Sequence, residues 1–221
     1  RLTRTLPRHR IQVITVHATP AMRWFGRVAV RARTAGASHD QNTSSAHPWI
    51  APLIRQADLP ALLAAVQPET RAETLEWRPV HERTARRLRR KWILFCGLVA
   101  LALGFAASPG WLAIPLGLLV LGCLGVEFDV RRRAFATTRS IIGYRKGWWT
   151  RRWTLVRHAK IQTVTLVTSP FDRRWKMATV RVDTAGGSSV EGFSLPYLSP
   201  AVAEELREDL VRRSAHLEFR W

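Results

Sequence analysis

IQTVTLVTSP, Ile161–Pro170, repeats a stretch met 150 residues earlier, IQVITVHATP, Ile11–Pro20. Aligned without a gap, Ile11–Gly36 and Ile161–Gly186 agree at 10 of 26 positions. Two unrelated strands could share alternating Val and Thr. They would not easily share an Ile-Gln start, a proline at the same step and a Thr-Ala-Gly end, so the repeat reads as an internal duplication. In the later copy Ile161–Val167 alternates apolar and polar residues as a half-buried strand does, and Ser169-Pro170 stops it. A basic loop, Phe171–Lys176, leads into a second strand, in which Ala178, Val180 and Val182 face one way and Thr179, Arg181 and Asp183 the other.

Between the copies lies a run of different character. Trp92–Val126 is 35 residues long and contains no Asp, Glu, Lys, Arg or His. One helix of that length would reach roughly 50 Å, against a hydrocarbon core of about 30 Å. Ser108-Pro109-Gly110 is a turn-forming cluster that divides the run into Trp92–Ala107 and Trp111–Val126. The expectation is a transmembrane helical hairpin over 92–127, with Trp92 and Trp111 as interfacial anchors. Cys96 and Cys123 fall inside it as small apolar packing residues. Ala100 with Gly104, and Ala113 with Gly117, are small residues at the helical spacing that permits close helix approach.

Charge sets the orientation. Arg86, Arg87, Arg89, Arg90 and Lys91 precede the run and Arg131, Arg132 and Arg133 follow it, while the turn carries no charge; basic flanks stay cytoplasmic. The chain carries 35 Lys and Arg against 16 Asp and Glu, for a net charge of +19. Arginines beside a span satisfy topology and attract anionic lipid at roughly 1 kcal/mol each. With no zinc-finger spacing, helix-turn-helix or RNA-recognition aromatic pattern, nucleic acid is disfavoured as a partner.

Outside the hairpin each copy ends in a helix. Ser199 caps a helix beginning at Pro200, whose Val202, Leu206, Leu210 and Val211 form an apolar stripe. In the first copy Leu59–Val66 follows Asp58 and ends at Pro68. The second copy has more upstream material, Ala134–His158, readable as two or three strands turning near Gly147. The first has only the residues before Ile11, so the chain reads as a fragment beginning partway through its first unit. The polar insert Ala37–His47 lengthens the first copy's loop.

An arginine-flanked apolar pair, then RAFATTRSIIGYRKG, then RHAKIQTVTLVTSPFDRRWKMATVRVDTAGG and a closing helix, resembles the second bacterial pleckstrin-homology-like family, found in YdbS/YdbT-like membrane proteins. The resemblance covers Val130 to about Ser214, with Arg8–Val66 as a truncated copy. It implies a mainly β fold with α: tandem PH-like split barrels of about seven strands, each closed by a C-terminal helix and separated by the helical hairpin. The resulting organisation is the C-terminal part of a truncated PH-like domain (1–67), a basic juxtamembrane linker (68–91), the hairpin (92–127), a complete PH-like domain (128–215) and a tail (216–221).

No HExxH, metal-ligand spacing, phosphate-cradling glycine loop or Gly-x-Ser-x-Gly elbow occurs, so the chain reads as non-catalytic, with no metal and no cofactor implied. Glu204, Glu205, Glu208 and Asp209 read as partners of Arg207, Arg212 and Arg213 on a solvated helix face. Two basic-aromatic stretches are candidate lipid-binding elements: Arg145, Lys146, Trp148, Trp149, Arg151 and Arg152, and then Arg173, Arg174 and Lys176 around Trp175. The competing reading puts the tryptophans in a barrel core. The expected role is a bacterial cell-membrane scaffold that presents cytoplasmic domains to a membrane or cytoplasmic protein, or to copies of itself. The alternative is a sensor of anionic lipid headgroups in the bilayer.

Overall fold

A computed structural model describes residues 10–34, 49–67, 75–106, 113–184 and 193–215. The Ala37–His47 insert, the Ser108–Gly110 turn, Trp111 and the tail fall outside these. In chain order the elements are β1 (Ile11–Ala18), α1 (Pro20–Trp24), β2 (Arg27–Thr34), β3 (Trp49–Arg55), α2 (Leu59–Val66), β4 (Arg78–Pro79), α3 (Thr84–Ala106), α4 (Ala113–Arg132), β5 (Ala134–Thr137), β6 (Ile141–Lys146), β7 (Arg151–Arg157), β8 (Ile161–Val167), α5 (Pro170–Arg174), β9 (Ala178–Thr184), β10 (Phe193–Leu198) and α6 (Pro200–Ala215). The fold is mainly β with helices, of PH-like appearance.

The repeated sequence folds twice into the same antiparallel hairpin. β1 and β2 pair as Ile11↔Thr34, Val13↔Arg33, Ile14↔Ala32, Thr15↔Arg31, Val16↔Val30 and His17↔Ala29. β8 and β9 pair as Ile161↔Thr184, Thr163↔Asp183, Val164↔Val182, Thr165↔Arg181, Leu166↔Val180 and Val167↔Thr179, each partner 150 residues further on, with the same irregularity after the first pair. Each hairpin turns through a short capped helix. Thr19 Oγ1 accepts from Met22 N–H at 3.3 Å, and Ser169 Oγ accepts from Asp172 N–H at 3.0 Å. The left-handed residue that closes the turn is Gly26 (φ +60°) in one copy and Lys176 (φ +54°) in the other.

Two sheets result. One has the order β3-β2-β1-β7-β6-β5-β4 and the other β10-β9-β8. The larger is a joint product of both copies, because β1 pairs with β7 from Val13↔Val156 to Ala18↔Arg151. β4 comes from the segment read as a basic linker: Arg78 and Pro79 pair with Phe135 and Ala134, and Val80 enters the core. The expected unit 128–215 contains six strands, β5 to β10, and β4 adds a seventh from the segment before the long helices.

β6 and β7 are covered on both faces. Ile142, Tyr144 and Val156 join Val180, Val182, Leu195, Leu198 and the α6 residues Ala203, Leu206 and Leu210 in one core. Ile141 and Leu155 point the other way into a second core with Ile14, Val16, Val28, Val30, Leu59 and Leu63. A strand buried on both faces loses its alternation and reads as a continuous apolar run, as Ile141-Ile142-Gly143-Tyr144 does. Each fully buried Leu or Ile here contributes about 1.5–3 kcal/mol from apolar area removed from water.

α3 and α4 pack on one another. The close approach lies at Gly122, where an added Cβ would stand 3.0 Å from the Trp92 ring, while Gly117 faces open space. Among the described residues it is therefore Gly122, five residues nearer the charged end than Gly117, that gives room for close approach, with Trp92 packed against it. Cys96 is buried, Cys123 is half-buried, and both are free thiols. Of the described helices, α4 alone is long and apolar enough by composition to cross a membrane; α3 opens with a run of arginines.

Candidate functional site

The chemistry of the chain concentrates where the base of α3 and α4 meets the sheets. On α4, Asp129 does two jobs. Its Oδ2 pairs with Arg133 at 2.6 Å, and its Oδ1 accepts the backbone N–H of Gly147 at 3.0 Å, fastening the β6–β7 turn to the helix. Gly147 sits at φ +86°, and an added Cβ would lie 2.0 Å from the Thr150 carbonyl oxygen, so this turn requires glycine.

Fastened this way, Trp148 lies against Phe128 with ring centroids 5.8 Å apart and against Trp149 at 5.4 Å. Neither tryptophan is in a barrel core. Both belong to the turn rather than to a strand, and Trp149 is 62% exposed. The turn also receives the first copy: Arg23 of α1 donates through Nη1 to the Trp148 carbonyl at 3.0 Å and to that of Trp149 at 3.3 Å. This brings along Trp24 and Phe25, 89% and 77% exposed.

α3 is held by the corresponding turn of the second copy. The buried guanidinium of Arg87 pairs with Asp172 on α5. Asp172 also closes a capping box, its Oδ2 accepting from the Ser169 N–H at 3.0 Å. Burial alone would raise the Asp172 carboxyl; hydrogen bonds from Ser169 and the Arg87 cation outweigh it and hold the group below its ordinary value. Next to Asp172, Phe171 is 72% exposed. Arg87 and Arg133 both lie over the Tyr197 ring, at 5.6 and 5.3 Å.

The candidate residues therefore separate. Arg87 and Arg133, expected as topology-setting flanks, are internal braces. Arg145 is turned away from the turn and lies 4.9 Å over Trp77, lining an apolar hollow of about 190 Å³ with Leu59, Leu63 and Trp153. Lost hydration, then Arg132, holds the Arg145 guanidinium below its ordinary value. Lys146, Trp149, Arg152, Arg173, Arg174 and Lys176 are exposed, Trp148 is on the margin of exposure, and Arg151 is half-buried. Lys146, though exposed as a whole residue, has its ammonium lowered by partial loss of hydration and then by Arg152 and Arg133, with Asp129 opposing. Arg86, Arg90, Lys91, Arg131 and Arg132 are exposed and Arg89 half-buried.

The nearby carboxylates are already engaged: Asp129 with Arg133, Asp172 with Arg87, and Glu127 with Arg131. Among the described residues, Lys146, Arg152, Arg173, Arg174 and Lys176 form no ion pair. Aromatic rings and uncompensated cations at the foot of two apolar helices are the composition that settles at a bilayer interface. The sequence reading missed Arg23, Trp24, Phe25, Phe128 and Phe171. The duplication could have found the first three, since the 150-residue offset sets Arg23-Trp24-Phe25 against Arg173-Arg174-Trp175.

A second, polar hollow of about 420 Å³ lies between α6 and β5, lined by Phe135, Leu206, Glu205, Asp209 and Arg213 among others. Its lining carries Arg78, Arg212 and Arg213 against Glu205, Glu208 and Asp209, and Arg212 and Arg213 reach Asp209 at 3.1 and 2.7 Å. No group of three or more metal-ligating side chains converges among the described residues.

Two packed sheets closed by a C-terminal helix have the pleckstrin-homology-like construction that suggests a binding or scaffold module. The chain belongs to the bacterial PH domain family, whose model matches residues 59–214. That match takes in α2, both long helices and the whole of the later unit. Neither the curated proteins nor the solved structures gave a match.

Proposed function

We propose that the protein is a non-catalytic, multi-pass protein of the bacterial cell membrane. α3 and α4 form a transmembrane hairpin, and tandem PH-like units serve as a cytoplasmic scaffold for a protein partner. The observation that carries this is the exposed apolar surface of the helices. Leu94, Leu98, Leu116 and Leu121 are each more than 60% exposed, on helices whose feet carry arginine. Soluble helices hide such a surface, and contiguous exposed apolar patches of this extent mark membrane or protein contacts. Membership of a family of binding modules supports the non-catalytic part.

Sealed vesicles of opposite orientation test the topology. Trypsin added to inside-out membrane vesicles should cut at Arg83–Lys91, while right-side-out vesicles should leave the chain intact. Cleavage from outside would overturn the orientation. Release by alkaline carbonate without detergent would overturn the spanning hairpin.

The second reading is an anionic-headgroup sensor. It rests on Lys146, Arg152, Arg173, Arg174 and Lys176, which form no ion pair among the described residues and lie beside exposed aromatic residues. Any basic domain tethered at a bilayer touches lipid, so the test is discrimination. The full chain is placed in nanodiscs of equal charge but different headgroup, at low and high salt, and hydrogen exchange is followed over 146–152 and 171–176. Headgroup-selective protection that survives salt supports a sensor; headgroup-blind protection lost in salt is screening of a tethered charge.

A further inference from the structure

We propose that the outer edge of β8 is a docking edge for an extended strand of the β7 type, supplied by a PH-like unit on a separate polypeptide. The inference rests on the scaffold reading above and names the surface and partner that reading requires.

The argument starts from the duplication. β1 and β8 are equivalent strands in identical register with their hairpin partners. β1 has a neighbour on each side, β2 and β7, and the second is a strand of the other unit. β8 has β9 on one side and, among the described residues, no strand on the other. The same chain thus shows one edge filled by a strand of the neighbouring unit and, among the described residues, its duplicate paired by no strand on that side, with α6 packed nearby. Gln12 is 2% exposed in β1. Its counterpart Gln162 is exposed, as are Thr163 and Thr165.

The other sheet edges are blunted. The seven-stranded sheet ends in β3, which contains Pro52, and in β4, which contains Pro79; the three-stranded sheet ends in β10, which contains Pro196. Proline removes a ladder donor and is a common guard on edge strands. β8, Ile161-Gln-Thr-Val-Thr-Leu-Val167, has neither proline nor charge. An unguarded, uncharged, β-branched edge is what strand addition uses, with main-chain hydrogen bonds supplying the affinity.

The filled edge specifies the occupant. β7 runs antiparallel to β1, with Thr154 opposite Thr15 and Leu155 opposite Ile14. Carried onto β8, the same docking sets Thr154 of an incoming strand against Thr165 and Leu155 against Val164. The chain's own β7 is hydrogen-bonded on both sides, to β1 and β6, so it cannot serve. The contact is head-to-tail: the unit that donates β7 still presents its own β8 equivalent. Such contacts can continue from unit to unit.

The test uses the full chain in nanodiscs and a synthetic peptide of the β7 sequence, Thr150–His158, TRRWTLVRH. Amide hydrogen exchange is followed over Gln162–Thr168 as peptide is raised. The expected result is saturable slowing of about tenfold, absent with the same peptide carrying Leu155→Pro and weakened by Thr165→Lys in the chain, with exchange in β9 and α6 unchanged. Three results overturn the inference: no slowing at saturating peptide, equal slowing by the proline peptide, or slow exchange of these amides before any peptide is added. Co-elution of the chain with nanodiscs reports separately on the scaffold reading, so loss of the membrane anchor and loss of the docking edge are told apart.

Discussion

The buried guanidinium of Arg87, at the foot of α3, pairs with Asp172 in the turn between β8 and β9, 85 residues further along the chain. The first long helix is thereby locked to the second copy of the duplicated hairpin. Removing one member of such a pair leaves the other desolvated. Arg87→Met or Asp172→Asn should each lower stability by roughly 2–3 kcal/mol, and the double substitution by less than their sum. Chemical denaturation in detergent reads all three. Because the Asp172 carboxyl is depressed in the fold, its stabilisation is present above the unfolded carboxylate value of about 3.9 and fades as pH falls through the folded one.

The turn that carries the exposed tryptophans depends on one residue. Gly147→Ala places a methyl group against the Thr150 carbonyl at a left-handed φ. Stability should fall by at least about 2 kcal/mol, and Trp148 should lose its contact with Phe128. A change in tryptophan emission without loss of far-ultraviolet circular dichroism would mark a local rearrangement.

The two copies contain an internal comparison at the closing turn. Lys176 adopts the left-handed conformation that Gly26 occupies in the first copy. Lys176→Gly should stabilise by about 0.5–1 kcal/mol, relief of strain outweighing the glycine's added freedom when unfolded, and Gly26→Lys should destabilise by a similar amount. A fall in melting temperature for Lys176→Gly would count against this.

His158 is fully buried, and burial, followed by repulsion from Arg213, brings its pKa from 6.5 down to about 4, with Asp209 opposing. The unfolded chain then binds the extra proton first. Above pH 6.5 this residue has no effect on the balance; as pH falls from 6.5 toward 4 it removes stability, approaching ~3 kcal/mol at about 1.4 kcal/mol per pKa unit. His158→Leu should flatten the pH dependence over that window in equilibrium unfolding.

Trp24 and Trp149 are exposed, and on the membrane reading proposed above they meet the headgroup layer, whereas Trp153 packs half-buried against the second core. In vesicles containing lipids brominated near the headgroup, Trp24→Phe and Trp149→Phe together should reduce the quenched share of tryptophan emission. Trp153→Phe should leave it unchanged. Equal effects would remove these rings from the interface.

The sequence alone determined what depends on local pattern. The duplicated strands were legible because a half-buried strand must alternate, and their equivalence because ten shared residues keep one spacing. The apolar run with arginine on both flanks was legible because no soluble helix can hide so continuous an apolar surface. The closing helix α6 was legible from Ser199-Pro200 and its stripe. Only the tertiary structure decided which strand lies beside which. Hydrogen bonds between strand backbones carry no side-chain signature, so the pairing of β1 with β7 and the recruitment of Arg78-Pro79 as a strand could not be read from the residue pattern. The same holds for the site. Basic and aromatic residues could be named from composition, but which arginines brace the fold depends on the carboxylate each one reaches, 85 residues away for Arg87 and one helical turn back for Arg133. Arg87 met Asp172 and Arg133 met Asp129, while among the described residues Arg173 and Arg174 met no such partner, because the chain turns each of them toward a different surface.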